Sequence, residues 1–242
     1  MKKSILILLL GIFVFSQCST PQKKDSAEQS NSQVTIVGQM KEVMWKGQLH
    51  GKISLDTIAN KRNIYGMGPL AYLRGELLLM DGTVYLSEVV DDTSMRVTEN
   101  KLVQAPFFAY ATMTNFTESK LPDSVQTIGQ LEEYINLYTQ LRERPFMFKL
   151  IGMVDSATIH IVNLPKGAKV SSPDEAHKGQ VNYSLLNEEV EILGFFSTEH
   201  KAIFTHHDTF LHLHLITRKR DKMGHLDHVV LKSGSIKLLI PD

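Results

Sequence analysis

Phe210, Leu211, His212, Leu213, His214, Leu215 and Ile216 alternate strictly between two chemical characters. Alternation of period two predicts a β-strand, with His212 and His214 on one face and Leu211, Leu213 and Leu215 on the other. His225 follows His214 by eleven residues, far enough to return after a turn and join the pair. Imidazole nitrogen is a preferred zinc ligand, and three protein ligands with one open position form the catalytic arrangement of that ion. The same residues also read as an ordinary strand whose histidines are hydrogen-bonded. Seven of the ten histidines fall between His200 and His228, which concentrates metal-binding capacity there. His206 and His207, adjacent in a turn-like stretch, read as surface residues, and His228 as exposed rather than as support for a metal.

Glu76 is the second residue of chemical interest. It opens the run Glu76, Leu77, Leu78, Leu79, Met80, a predicted strand. Desolvating a carboxylate there without a partner is costly, so Glu76 is either a ligand, proton donor or base at the metal site, or a strand-edge residue in solvent.

Other segments must position these groups. The chain has 242 residues, with 26 Lys+Arg against 26 Asp+Glu. Lys2 and Lys3, an apolar run over 5–15, and Ser16, Gln17 and Cys18 follow the order of a secretory signal, and the run is too short to span a membrane. Cys18 is the only cysteine, which excludes an intrachain disulfide. Its place resembles a bacterial lipoprotein processing site, where the cysteine is acylated, although Gln17 is not the small residue usual before it. An ordinary signal peptide is the alternative. Residues 19–33 carry no aromatic or long aliphatic side chain and read as a flexible tether. Residues 34–242 are long enough for one sizeable core or two fused halves, expected at about 34–165 and 166–242. Without Lys2 and Lys3, 24 basic residues face 26 acidic ones, a net charge near −2, and no basic patch argues for nucleic acid.

Asp81 and Gly82 between two β-type runs predict a hairpin. Alternation over 106–116 predicts a further strand, while 34–43 and 52–58 suggest a strand start and a short helix or turn. Ile128, Leu131, Ile135, Tyr138 and Leu141 recur at helical spacing and predict a helix over 124–144, capped by Asp123 or Ser124, favoured at its end by Arg142 and Arg144, and stopped by Pro145. Segments 146–154, 158–163, 190–196, 209–217 and 236–240 are β-like, and 165–178 reads as a loop between the halves. The class is α+β, strand-dominated, with one main helix.

The runs Gly66-Met67-Gly68-Pro69-Leu70, Leu73-Arg74-Gly75-Glu76-Leu77 and Asp81-Gly82-Thr83-Val84-Tyr85 closely resemble the N-terminal signature of alpha-acetolactate decarboxylases. Ala105-Pro106-Phe107-Phe108-Ala109 resembles that family's next strand, and Leu193-Gly194-Phe195-Phe196-Ser197 the strand before its metal loop. Leu211-His212-Leu213-His214, with Arg220-Asp221-Lys222-Met223-Gly224-His225, is similar to its zinc signature, with matching spacing. The resemblance runs over essentially the whole folded part.

The resemblance implies two packed β-rich halves, a mixed sheet and an open barrel-like sheet. It implies Zn2+ held by His212, His214 and His225, with Glu76 reaching the same cavity, and conversion of 2-acetolactate, a 2-hydroxy-3-keto acid, to acetoin. Three departures accompany it. The arginine that the family places for the substrate carboxylate, in the strand after the central helix, is expected here at Lys149, which keeps the charge but lacks the bidentate fork. The family threonine in the glycine-flanked turn is Pro69, without hydroxyl or N–H. The family's second catalytic glutamate comes from a C-terminal extension, whereas the last glutamate here is Glu199. Two functions are therefore expected: a zinc-dependent decarboxylase using Glu76 and Lys149, or a catalytically degenerate zinc-binding lipoprotein acting as a binding module. Either would sit at the cell envelope through Cys18, on the periplasmic side or the outer membrane, with the lipid as its only membrane contact. A homodimer is compatible with both.

Overall fold

The structure is a computed structural model that describes residues 33–205 and 209–242. The signal, Cys18, the tether up to 32, and His206 and His207 lie outside the described residues. In chain order the elements are β1 (Thr35–Val37), α1 (Met40–Lys46), β2 (Ile53–Ser54), β3 (Ile64–Pro69), β4 (Glu76–Met80), β5 (Thr83–Val89), β6 (Met95–Glu99), β7 (Gln104–Ala105), β8 (Phe108–Thr112) and β9 (Phe116–Lys120). There follow α2 (Ile128–Tyr138), β10 (Phe146–Ile161), α3 (Pro173–Ala176), β11 (Val181–Phe196), β12 (Leu211–Thr217), β13 (Met223–Leu231) and β14 (Lys237–Pro241). Strands dominate, and the α+β class holds. No helix among the described residues is long and apolar enough to cross a membrane.

Two six-stranded sheets organise the chain, ordered β1-β8-β3-β4-β5-β6 and β11-β12-β13-β10-β14-β9, with β2 and β7 pairing separately. The second sheet curls strongly, because β10 pairs with β11 along its length and with β13 on its other edge, while β14 and β9 extend it outward. The first sheet draws its strands from 35–112 and the second from 116–241. The 165–178 segment therefore joins β10 to β11 inside the second sheet, rather than linking the two sheets.

The strand alternation that faces the sheets together also aims the site residues. Met67, Leu78, Met80, Ala109 and Ala111 of the first sheet pack on Met147, Leu193, Phe195, Ile216 and Met223 of the second. On β4, Leu78 and Met80 share a face with Glu76, while Leu77 and Leu79 point to a separate core with Leu55, Val84 and Phe108. On β12, Leu211, Leu213 and Leu215 enter the core under α2, which turns His212 and His214 the other way, with Ile216. Glu76 and the two histidines thus meet between the sheets.

Several local expectations change. The predicted helix of 124–144 is shorter at both ends. Thr127 caps it, its hydroxyl accepting from the Gln130 N–H while the Gln130 side chain accepts from the Thr127 N–H; this reciprocal box outcompetes Asp123 and Ser124 as a start. The helix ends at Tyr138, leaving Leu141 exposed. Segments 146–154 and 158–163 form one strand, β10, with irregular register against β13 between Val154 and Ser156 and between Thr158 and Ile159. The 34–43 segment starts as a strand, β1, as expected, and then runs into α1, which is closed by left-handed Gly47. The Asp81–Gly82 hairpin joins β4 to β5 as expected, with φ of 48° and 83° in its two turn residues.

Candidate metal centre

β12 and β13 pair antiparallel with His214 opposite His225, and β13 pairs with β10 with His225 opposite His160. Residues directly opposite in an antiparallel ladder share a face, so three adjacent strands bring their histidines to one side. Gly224 permits the close approach: a Cβ there would lie 2.5 Å from the His160 carbonyl oxygen. The ring centres of His212 and His214 are 5.1 Å apart, of His212 and His225 5.2 Å, and of His214 and His225 5.6 Å. Three imidazoles around one tetrahedral ion, each nitrogen about 2.0–2.1 Å from it, put their ring centres about 5 Å apart. The spacing fits a shared cation.

His212 and His214 are 3% and 1% exposed. Burial, and then the neighbouring His212 and His225, hold the His214 pKa well below its usual value, which keeps it in the neutral, metal-ligating form. Glu76, 3% exposed, places Oε2 3.7 Å from His214 Nε2 and accepts a 3.3 Å hydrogen bond from the Val162 N–H through Oε1. Burial pushes its carboxyl well above the ordinary range, against the Val162 N–H, which lowers it. A divalent cation nearby would pull the other way.

Asp227 shares a face with His225 on β13 and reaches two rings. Its oxygens lie 2.8 and 2.9 Å from His160 Nδ1 and 3.2 Å from His225 Nδ1. One donor atom from each of His160, His225 and Asp227 lies within 4.8 Å of the others, so this set too has the composition of a metal site. The 2.8 Å contact is hydrogen-bond length, whereas two ligands about 2.0–2.1 Å from one tetrahedral ion stand about 3.3 Å apart. Asp227 is better understood as the carboxylate that orients the His225 ring, the usual companion of a metal-bound histidine, and that holds His160 beside it at a ring separation of 4.6 Å. Burial, followed by the nearby His225, lowers the His160 pKa to about 4. His160 and Asp227 are the residues that sequence reasoning missed. The available signals were the i,i+2 spacing of His225 and Asp227 and the period-two placement of His160 after Thr158.

The sequence pattern of the family described as alpha-acetolactate decarboxylase matches residues 35–240. The chain belongs to that family. Among solved structures, acetolactate decarboxylase from Bacillus subtilis subspecies spizizenii superposes with a TM-score of 0.72 at 23% identity, covering 87% of this chain and 86% of that one. The alpha-acetolactate decarboxylase of Bacillus subtilis strain 168 gives 0.72 at 22%, over the same shares. A Staphylococcus aureus protein of unknown function, described as similar to alpha-acetolactate decarboxylase, gives 0.68 at 18%, over 86% and 84%. At these identities the likeness establishes the fold. Among curated proteins no match is found.

The family expectation meets the structure unevenly. Glu76, His212, His214 and His225 come together as the resemblance implied, and His228 is exposed. Lys149 does not join them. Its ammonium is 3.1 Å from Glu191 Oε2 and 5.7 Å from the Tyr65 ring centre, and Glu191 is bound from its other side by Arg220. The strand after the central helix does serve the centre, but through His160, eleven residues beyond Lys149 on β10. Pro69, opposite Glu76 in the β3–β4 pair, lines the cavity next to it. Among the described residues, no lysine or arginine lines either cavity that reaches the histidines.

Proposed function

We propose that the protein decarboxylates acetolactate, or a closely similar 2-hydroxy-3-keto acid, with Zn2+ held by His212, His214 and His225. The observation that carries this reading is the convergence of three mutually spaced imidazoles, two of them buried, with a carboxyl 3.7 Å from His214, in a chain of this family. A bound cation would supply Lewis acidity toward neighbouring hydroxyl and keto oxygens of the substrate. The protein's own groups account for the rest. The carbon–carbon bond to the carboxylate breaks, its electron pair moves onto the adjacent keto group, carbon dioxide leaves, and the carbon takes up a proton. Glu76 is the acid in reach for that proton, and the Val162 N–H fixes its direction. Asp227 fixes the His225 ring, and the apolar residues around Glu76 keep water from competing.

Purified zinc-loaded protein given racemic acetolactate should release acetoin, and His212→Ala should not. Equal acetoin from the two would remove this reading. A catalytically degenerate zinc-binding module is the second reading, favoured by cavity walls that carry no lysine or arginine among the described residues; it expects zinc in the protein and no turnover with any keto acid. Both readings include an acylated Cys18 tethering the protein to the cell envelope. Cys18→Ser should move it from the membrane fraction to the soluble one.

A further inference from the structure

The histidines stand between two spaces of different size and openness. His160, His177 and His225 border both. The outer space is a cleft of about 710 Å³, with Thr158, Gln180 and Asn182 among its walls. The inner one, of about 50 Å³, reaches Glu76 and is roofed by Met40, Met44 and Trp45 of α1 above Leu73 and Phe107. Met40 and Met44 stand one helical turn apart and are buried, whereas Trp45 is 43% exposed, so the roof is one side chain thick. The helix is fastened at its start by hydrogen bonds from the Met40 and Lys41 N–H groups to the Ile203 and Ala202 carbonyls.

We infer that Met40, Met44 and Trp45 form an alkyl-selecting wall, so that the substrate lies with a short alkyl or acyl group under α1 and its carboxylate in the outer cleft. This rests on the proposed reaction and adds its orientation and size limit. A carboxylate turned under the α1 roof would lose its hydration among thioether, indole and phenyl groups and crowd the Glu76 carboxyl. Turned outward, it stays open to water in the wide cleft, where Thr158, Gln180 and Asn182 offer donors although Glu132 and Asp227 also line the walls. Carbon dioxide then leaves through the wide opening. A water-sized group needs about 10–15 Å³, so the inner space admits about three or four non-hydrogen atoms, an acetyl or ethyl group but not a longer branch. Methionines adapt their shape more readily than branched side chains, so truncation of Met44 should relax the limit rather than abolish binding.

The test uses zinc-loaded protein and calorimetric titration with two unreactive 2-hydroxy acids, 2-hydroxyisobutyrate and its dipentyl homologue 2-hydroxy-2-pentylheptanoate, whose branches exceed the limit. Wild type should favour the smaller acid by about tenfold or more, the usual worth of a misfitting methylene or two in an apolar pocket. Met44→Ala should bring the ratio near unity, and Trp45→Ala, at a half-exposed position that tolerates truncation, should lower it in the same direction. Equal affinities in wild type, no binding of either acid, or an unchanged ratio in both folded variants would overturn the inference. Acetoin production, measured separately, tells the two proposals apart. Size-selective binding without turnover leaves the wall and removes the reaction, whereas turnover without size selection does the reverse.

Discussion

β10 carries two polar centres, one toward each end, and they are built on opposite principles. Near its start Lys149 meets Glu191, which also receives Arg220. Near its end His160 meets Asp227 and lies against His225, beside His212, His214 and Glu76. The first group is complete in itself: each charge has an opposite charge at contact distance, and Tyr65 and Tyr85 cover the cations. The second gathers imidazole donors and carboxyl groups, without a lysine or arginine among the described residues lining it. Burial opposes charging histidine, so such a cluster is stabilised by an outside cation rather than by its own protons. One centre is saturated by its own charges, whereas the other has the composition of the proposed metal site.

The sharpest way to break this contrast is to remove a ligand from the second centre. His214→Ala should take zinc from about one equivalent per chain to background in elemental analysis, and acetoin formation to the uncatalysed level, because a three-histidine site does not survive as two. Retention of stoichiometric zinc in that variant would contradict the assignment of His214. Asp227→Asn is the next largest effect. It keeps the shape but weakens the acceptor for two rings, and zinc affinity measured by competition with a chromogenic chelator should fall by about 10–100-fold. An unchanged affinity would mean that Asp227 serves His160 alone.

Much of this centre was legible in the chain because its alternation is strict. Two histidines among leucines can hardly avoid sharing a strand face, and an Asp-Gly hairpin next to Glu76 fixes which residues of β4 point with it. What was not legible depended on long-range pairing. Lys149 and His160 lie on one strand, and only the pairing of β10 with β11 and β13, irregular after Val154, decides which of them reaches the histidines. The local pattern made 146–154 and 158–163 look like two strands, and it hid that β9 and β10 belong to the second sheet. The helix start was missed for a smaller reason, since Thr127 and Gln130 form a capping box that the acidic and hydroxyl residues just before it masked.

At the first centre the expected effects are smaller and fall on stability. Lys149→Met should cost about 1–2 kcal/mol in chemical denaturation, less than a fully buried pair because Arg220 still compensates Glu191, and should leave zinc content unchanged. Loss of zinc there would restore Lys149 to the site. Burial raises the Glu191 carboxyl, but the charge of Lys149 and the hydrogen bond and charge of Arg220 outweigh it, and the net shift is downward from 4.5. A carboxyl depressed on folding contributes stability that is fully present above its unfolded value and lost as pH falls through the folded one. The stability gap between wild type and Glu191→Gln should therefore be constant at neutral pH and close only as pH drops below 4.5. A gap that closed instead between pH 6 and 8 would point to a histidine as the partner.

The smallest expected effect asks whether the histidine centre is mechanically separate from α2. α2 leans on β12 through Glu132, which accepts the Thr209 hydroxyl and, at 2.8 Å, the Phe210 N–H, two residues before His212. Thr127→Ala removes the cap of that helix without touching either centre. Loss of such a cap costs about 1 kcal/mol, which lowers the melting temperature of a chain this size by about 2–4 °C. If packing of Leu131 and Ile135 in the core is what holds α2 in place, the helix frays only at its first turn, Glu132 keeps its grip, and zinc affinity stays at the wild-type value. A fall in zinc affinity together with the melting temperature would show that the start of β12 is held by the cap through Glu132, and the line between fold and ligand centre would have to be redrawn to include α2.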